Sequence, residues 1–267
     1  MAKKTKLPEK TKPFVTGAPT DENTFRQALK FFGIMVMIVF ITFIVCSMAG
    51  VKSDILRVVI NTAVEAAVLL ILFSRGADLG TDAVARGEIV YQHIEKGLDI
   101  TQNERKIPFH KCKGFIIGLI GSAVFFIPAL LLAFTAEKQM TTAGTLPSWM
   151  DGFMRRSEIS GGLAAYSQNG SLGVLDIIRI FVRVTIMPFV AMAGTENRDL
   201  LLLIERISPV LVLLPALAYG AGYLQGPSRR KQVHTEIAAN TRKRVTRERR
   251  ERQKKKNNVP KTPQQLN

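Results

Sequence analysis

Four polar side chains interrupt an apolar run near the start of the chain. They are Asp54, Arg57, Asn61 and Glu65, spaced three, four and four residues apart, so a helix aligns them along one side. Glu65 follows Asp54 by eleven residues. That spacing places it about 16 Å further along a helix, close to the middle of a bilayer. A carboxyl group at this depth indicates a functional site that carries protons or cations, or holds a substrate amine. The predicted intramembrane site is therefore the stripe Arg57, Asn61 and Glu65.

A structural role is the alternative for this stripe. A second apolar segment, 172–193, carries Asp176, Arg179 and Arg183 along one helical side. Glu65 would then either be buried in its protonated form, or be ionised and paired with one of these arginines, which would hold two helices together as polar side chains do between membrane helices. Asp176, Arg179 and Arg183 are therefore the predicted partners of the stripe, and both interpretations remain open from the sequence.

The sequence lacks the patterns that enzymes and metal sites require. None of H-E-x-x-H, G-x-S-x-G and G-x-x-x-x-G-K-[ST] occurs. His93, His110, His234 and Cys112 do not show the close paired spacing of a structural zinc site. We therefore expect no enzymatic activity, no metal and no cofactor.

Long apolar runs indicate a membrane protein. A run of about twenty apolar residues is long enough to cross a hydrocarbon core of about 30 Å. The predicted spans are 31–49, 55–74, 114–134 and 207–224. The first run is longer than the apolar core of a signal peptide, and thirty residues precede it, so we expect an uncleaved anchor. The expected fold class is an all-α, polytopic transmembrane helical bundle embedded in a lipid bilayer.

The segment 172–193 has two interpretations. It is long enough to cross a membrane, but each arginine near its centre would cost about 2.5–3.5 kcal/mol on insertion scales. It is therefore either an interfacial or re-entrant helix, or a fifth crossing whose polar stripe faces the bundle.

The distribution of Lys and Arg favours four crossings. Basic residues concentrate in an N-terminal arm (1–29), a loop (75–113) and the tail (226–267), whereas the loop 137–171 holds only three. Four crossings within the membrane domain 30–225 place all three basic segments on one side, which the positive-inside rule makes cytoplasmic. We therefore expect both termini in the cytoplasm, 137–171 outside, and a location in the plasma membrane of a bacterium.

The loop 75–113 is too small for a domain with its own core. Thr81 and Asp82 are expected to cap a separate helix that runs to about Lys96. We expect this helix to lie along the bundle, and a docking surface for a cytoplasmic protein is the alternative.

The tail is predicted to be a basic helix. The stretch 231–252 contains no Gly or Pro and is rich in Arg, Lys, Glu and Gln, which favour helix. No aromatic residue follows Tyr223, so neither insertion into lipid nor stacking on bases is expected. Anionic lipid headgroups or RNA are the expected ligands, bound by charge, and the alternative is a solvated tail that only fixes the topology. The predicted binding residues are Arg242, Lys243, Arg244, Arg247, Arg249, Arg250, Arg252, Lys254, Lys255 and Lys256.

Two function classes follow from these features. The first is a non-enzymatic scaffold or accessory subunit whose tail contacts anionic lipid or RNA. The alternative is a small transporter, or a subunit of one, that uses the Glu65 stripe. A transporter should lose its function on Glu65→Gln and tolerate loss of the tail, whereas a scaffold should do the reverse.

Overall fold

The computed structural model describes residues 12–48, 53–137, 148–150, 152–153, 155–168, 173–194 and 197–257. All regular secondary structure in these ranges is helical, which confirms the all-α class. The helices are α1 (Glu22–Met48), α2 (Asp54–Glu95), α3 (Gln102–Lys106), α4 (Lys113–Thr135), α5 (Ser157–Gln168), α6 (Val174–Thr185), α7 (Met187–Ala193), α8 (Arg198–Leu224) and α9 (Gly226–Asn257).

Four helices, α1, α2, α4 and α8, are long and apolar enough to cross a membrane, as the sequence predicted. Their outer sides expose large apolar side chains, among them Phe40, Leu70, Ile127 and Val210. A soluble protein rarely exposes apolar surface on this scale, because water would not cover it favourably. The four helices therefore indicate a membrane-embedded, multi-pass bundle.

The two ends of the bundle differ. We call the end where α9 begins the tail end, and the opposite end, where α1 finishes and α2 starts, the loop end. The segment 12–21 lies across the tail end, where the ammonium group of Lys113 donates a hydrogen bond of 2.7 Å to the buried carboxylate of Asp21. Part of the predicted arm 1–29 is thus built into the bundle, and α1 begins at Glu22. Residues 1–11 of the arm lie outside the described residues.

The second span is longer than predicted. A break after residue 74 and a new cap at Thr81 and Asp82 were expected, but α2 is one helix of 42 residues. The hydroxyl of Thr81 donates to the carbonyl of Ala77 at 2.8 Å, as in a helix interior, so the predicted cap was wrong. Nothing in residues 75–95 stops a helix, because the stretch contains no proline. At about 1.5 Å per residue α2 measures about 63 Å, so roughly half of it projects beyond a hydrocarbon core at the tail end.

Close backbone contact joins α2 to α8. A Cβ atom at Gly76 would collide with the carbonyl of Tyr219, and one at Gly222 would collide with the carbonyl of Phe73. Glycine at these positions lets the two backbones approach without a side chain between them. Gly76 lies against Tyr219, and Gly80, one turn further along α2, lies against Tyr223. Since the contacts follow the same order along both helices, α2 and α8 run in the same direction.

The ambiguous segment forms two short helices rather than one span. α6 has twelve residues and α7 has seven, with a turn at Ile186 between them. At about 1.5 Å per residue neither helix is long enough to cross a hydrocarbon core. α6 starts at the loop end, where the Arg179 guanidinium donates to the carbonyl of Glu137 at 2.9 Å. α7 returns to that end, because Gly194 at its finish lies beside the guanidinium of Arg57.

Candidate functional site

The predicted stripe on α2 has members with different surroundings. Arg57 forms an ion pair of 3.0 Å with Asp54 at the loop end. Asn61 is only 1% exposed, and its Nδ2 donates to the carbonyl of Arg57 at 2.8 Å. The Asn61 Oδ1 atom finds no hydrogen-bond partner among the described residues. Both residues therefore make polar contacts within α2, and the Arg57 guanidinium also lies beside Gly194 at the end of α7.

Glu65 lines a small cavity at the point where the segment between α6 and α7 turns. The cavity has a volume of about 30 Å³, and helices α1, α2, α6, α7 and α8 contribute to its walls. Its polar lining residues are Thr42, Glu65 and Thr185, and the other lining residues are apolar, including Pro188 and Pro215. Within the described ranges, no side chain makes an ion pair with Glu65.

The predicted partners of the stripe lie elsewhere. Arg183 contacts Glu205 Oε1 through Nη2 at 2.6 Å and Nε at 2.7 Å, and Arg179 Nε lies 3.2 Å from the same oxygen. Asp176 accepts a hydrogen bond from the Gly173 N–H at the start of α6. A pairing of Arg179 or Arg183 with Glu65 was therefore wrong, because Glu205 on α8 takes both arginines.

Glu205 was missed because the fourth span was predicted to begin at residue 207. The helix begins at Arg198, and the Asn197 side chain caps it by accepting from the N–H of Leu200 at 3.1 Å. Glu205 is 2% exposed and lies inside the bundle. The signal was present in the sequence, because two arginines four residues apart on a buried face require an acidic partner. We call Arg179, Arg183 and Glu205 the charged triad.

A second charged cluster holds α9 against α2. The carboxylate of Glu88 lies 2.8 Å from Arg230 Nη2 and 2.7 Å from His234 Nε2. Burial opposes ionisation of Glu88, but hydrogen bonds from Arg230 and His234, with their charges, outweigh it and lower the pKa of the carboxyl group below its usual value. We call Glu88, Arg230 and His234 the clasp.

Backbone contact continues along the clasped helices. Gly226 at the start of α9 lies directly against Gly80, where a Cβ atom would collide. Only the residue Gln225 separates α8 from α9. Because α9 meets Gly80 first and Glu88 further on, it runs in the same direction as α2. Sequence reasoning missed this cluster, although Arg230 and His234 lie four residues apart on one helical side.

The predicted tail residues belong to α9, which ends at Asn257. From Thr235 to Gln253 every residue of the helix is exposed. Two ion pairs, Arg244 with Glu248 at 3.0 Å and Arg247 with Glu251 at 3.2 Å, connect successive turns. Exposed pairs of this kind contribute only about 0.3–0.5 kcal/mol each, so they leave the helix open to other charged groups. The backbone of Lys254, Lys255 and Lys256 is helical.

Other polar clusters are scarce in the part of the chain that the structure describes. No group of three His, Cys, Asp or Glu side chains in that part could hold a metal ion. Both cysteines are free thiols, with Cys46 buried and Cys112 exposed. Comparison of the chain with family models, with curated proteins and with solved structures gave no match. The candidate functional features are therefore the cavity, the charged triad, the clasp and α9.

Proposed function

We propose that this protein is a non-enzymatic membrane scaffold that holds a basic helix away from the bilayer to bind RNA. The exposed distal half of α9 is the observation that carries the proposal. Residues 242–256 contain ten Lys and Arg residues and two glutamates, with no aromatic side chain among them. Such a surface attracts a polyanion through its phosphates rather than through its bases.

The proposed orientation places the tail end in the cytoplasm of a bacterium, with four crossings and both termini inside. The basic segments 1–29, 75–113 and 226–267 are then all on one side, in agreement with the positive-inside rule. The two short helices α6 and α7 support this count, because both ends of the segment return to the loop end. The plasma membrane is the compartment proposed for this arrangement.

Distance favours RNA over lipid as the ligand of α9. Arg242 follows Gly226 by sixteen residues, so it lies about 24 Å along the helix, and Arg252 lies about 39 Å along it. Parallel packing on α2 directs α9 away from the bundle. The Debye length at physiological ionic strength is about 8 Å. Attraction to the inner leaflet is therefore largely screened at the basic segment, whereas a soluble polyanion can approach it.

The pattern of charges on α9 also suits a nucleic acid. Lys243, Arg247 and Arg250 form one row along the helix. A second row consists of Arg242, Arg249 and Arg252. At about 100° per residue the rows lie roughly 140° apart, and Glu248 and Glu251 lie on the opposite side of the helix. One broad face therefore carries two basic rows without an acidic residue between them, which suits the two phosphate strands that border a groove.

Binding to RNA can be measured with the full-length protein in nanodiscs of neutral lipid. The titrant is a labelled RNA hairpin, and vesicles that contain anionic lipid serve as the competing polyanion, both at low and at physiological salt. The test variant is Lys243→Glu, Arg249→Glu, Arg250→Glu. The matched control is Lys96→Glu, Arg105→Glu, Lys111→Glu, which makes the same charge change on exposed tail-end residues outside α9.

The proposal predicts tighter binding to RNA than to anionic vesicles at physiological salt. The α9 variant should lose at least about tenfold in RNA affinity, and the control should keep nearly all of it. Stronger binding to vesicles would replace RNA by lipid as the ligand. Absence of binding to both at physiological salt would reject the scaffold function and leave α9 a role in topology only.

A transport function is the second candidate, and one observation favours it. Glu65 lines a cavity next to a broken helix inside the bundle, an arrangement that transporters use for substrate and ion sites. A transporter should lose its function on Glu65→Gln and retain it when residues 235–267 are removed.

The docking of a cytoplasmic protein on 75–113 is the remaining alternative. Such a protein could contact only the part of this segment that α9 leaves uncovered.

A further inference from the structure

The turn between α6 and α7 leaves backbone carbonyls without their regular helical donors. Pro188 has no N–H to donate to the carbonyl of Val184, which is instead approached by the N–H of Ile186. The N–H of Phe189, which a continuous helix would direct to Thr185, donates to the carbonyl of Ile186 at 3.0 Å. Broken backbone at this depth is tolerated where it lines a cavity or contacts a polar partner. Thr185 and Ile186 both line the cavity that contains Glu65.

Several groups around this cavity attract a cation. The C-terminal end of α6 carries the negative end of the helix dipole, which attracts cations. The Glu65 carboxylate adds a full charge when it is ionised, and no described cation forms an ion pair with it. The hydroxyls of Thr42 and Thr185 already donate to the carbonyls of Val39 and Phe181 respectively, so their oxygen lone pairs remain as acceptors. The cavity therefore has a surplus of oxygen acceptors.

We infer that the cavity beside Glu65 binds one small monovalent cation, and that Na⁺ is the ion that fits it. Its ligands would be the Glu65 carboxylate, the Thr42 and Thr185 hydroxyl oxygens and the carbonyl of Thr185 at the end of α6. This inference goes beyond the scaffold function and does not depend on α9.

Size and charge select this class of ion. A cavity of about 30 Å³ has room for about two water-sized occupants, so an ion with one water fits and an organic substrate does not. One monovalent cation neutralises one carboxylate, whereas a divalent cation would leave a net charge inside the bundle, which is unfavourable. Hard oxygen ligands suit Na⁺, and discontinuous membrane helices use such carbonyls to coordinate it.

The test is thermal unfolding of the full-length protein in detergent. The Tm is measured by circular dichroism in NaCl, KCl and choline chloride at one fixed ionic strength. A ligand that binds only the folded state raises the Tm in proportion to the logarithm of its concentration above its Kd. The Tm of the wild type should be higher in NaCl than in KCl or in choline chloride.

Variants assign the shift to the cavity. Glu65→Gln keeps the size of the side chain and removes its charge, so the sodium-specific shift should disappear. Thr185→Val is nearly isosteric and should weaken the shift. Asp54→Asn is the matched control, because Asp54 is an exposed carboxylate on the same helix, and the shift should persist in it.

Direct binding of ²²Na⁺ to the wild type provides a readout that does not require any variant to fold. Saturable binding at one ion per chain, displaced by unlabelled Na⁺ but not by choline, is the expected result. Equal Tm values in all three salts, or a sodium-specific shift that persists in Glu65→Gln, would overturn the inference. Stability that follows pH but not the cation would replace Na⁺ by a proton.

Discussion

The charged triad offers the sharpest test of how the bundle is held together. Glu205 on α8 is the only acidic partner among the described residues for both Arg179 and Arg183, at distances of 2.6–3.2 Å. Glu205→Gln removes the negative charge and leaves two guanidinium groups side by side in a buried site. Removal of one partner from a buried ion pair costs about 3–5 kcal/mol, because the remaining charge is uncompensated. With a net stability of about 5–15 kcal/mol for a typical protein, this is a large fraction of the total.

Arg183→Met is the matched comparison. It leaves Arg179 with Glu205 as a neutral pair, so only hydrogen bonds to charged groups are lost, at about 1.5–3 kcal/mol. The double variant Glu205→Gln, Arg183→Met removes one of the two uncompensated charges. Its cost should therefore be smaller than the sum of the two single costs, since the residues belong to one network.

Thiol labelling can follow the unfolding of these variants. Cys46 is buried in α1 and Cys112 is exposed, so a Cys112→Ser background leaves one thiol that reacts only on opening. The free energy of unfolding is read from the denaturant or temperature dependence of labelling. If Glu205→Gln is no more destabilising than Arg183→Met, or if the two costs add fully, the triad does not hold α6 to α8.

Three further outcomes follow from the structure. Because the folded state lowers the pKa of Glu88, the clasp contributes stability above about pH 4.5 and loses it as the pH falls through the lowered pKa; Glu88→Gln should abolish this dependence. Spin labels on Ile89 and Thr241 would detect the separation of α9 from α2, and a distance that does not change with pH in wild type would count against the clasp. Gly76→Ala should cost about 1–3 kcal/mol or more through collision with α8, whereas Gly33→Ala, with open space around it, should be neutral or stabilising in the same unfolding assay. Equal effects of the two substitutions would reject the close contact. A reporter placed after residue 267 and one inserted in 92–97 should both report the cytoplasm, and one near residue 167 the outside; an external tail would favour five crossings.

The membrane class could be predicted from the sequence because it depends on the length of continuous apolar runs. Each crossing of a bilayer requires an apolar run of about twenty residues. The sequence has four such runs, and the four long apolar helices of the structure correspond to them. The ends of the helices were less predictable. The hydrophobic pattern does not define where α2 ends or where α8 begins, because the residues there are more polar than the spans. The stretch 75–95 continues α2 at its C-terminal end, and the stretch 198–206 forms the first turns of α8.

The charged contacts could be predicted only in part. The stripe of Asp54, Arg57, Asn61 and Glu65 follows from helical periodicity, and all four residues do lie in α2. Which acid would meet Arg183 was not predictable, because that depends on how α6 and α8 pack and not on spacing within either helix. Both arginines form their ion pairs with Glu205, and Glu65 lines the cavity instead.

The most direct test of the proposed function is photo-crosslinking in living cells. A photoreactive amino acid replaces Thr246, which is exposed and lies between the two basic rows of α9. After irradiation the full-length protein is purified under denaturing conditions and its adducts are identified. We expect RNA adducts whose yield falls sharply in the Lys243→Glu, Arg249→Glu, Arg250→Glu background. Adducts that are mainly lipid, or RNA adducts that this variant does not reduce, would contradict it.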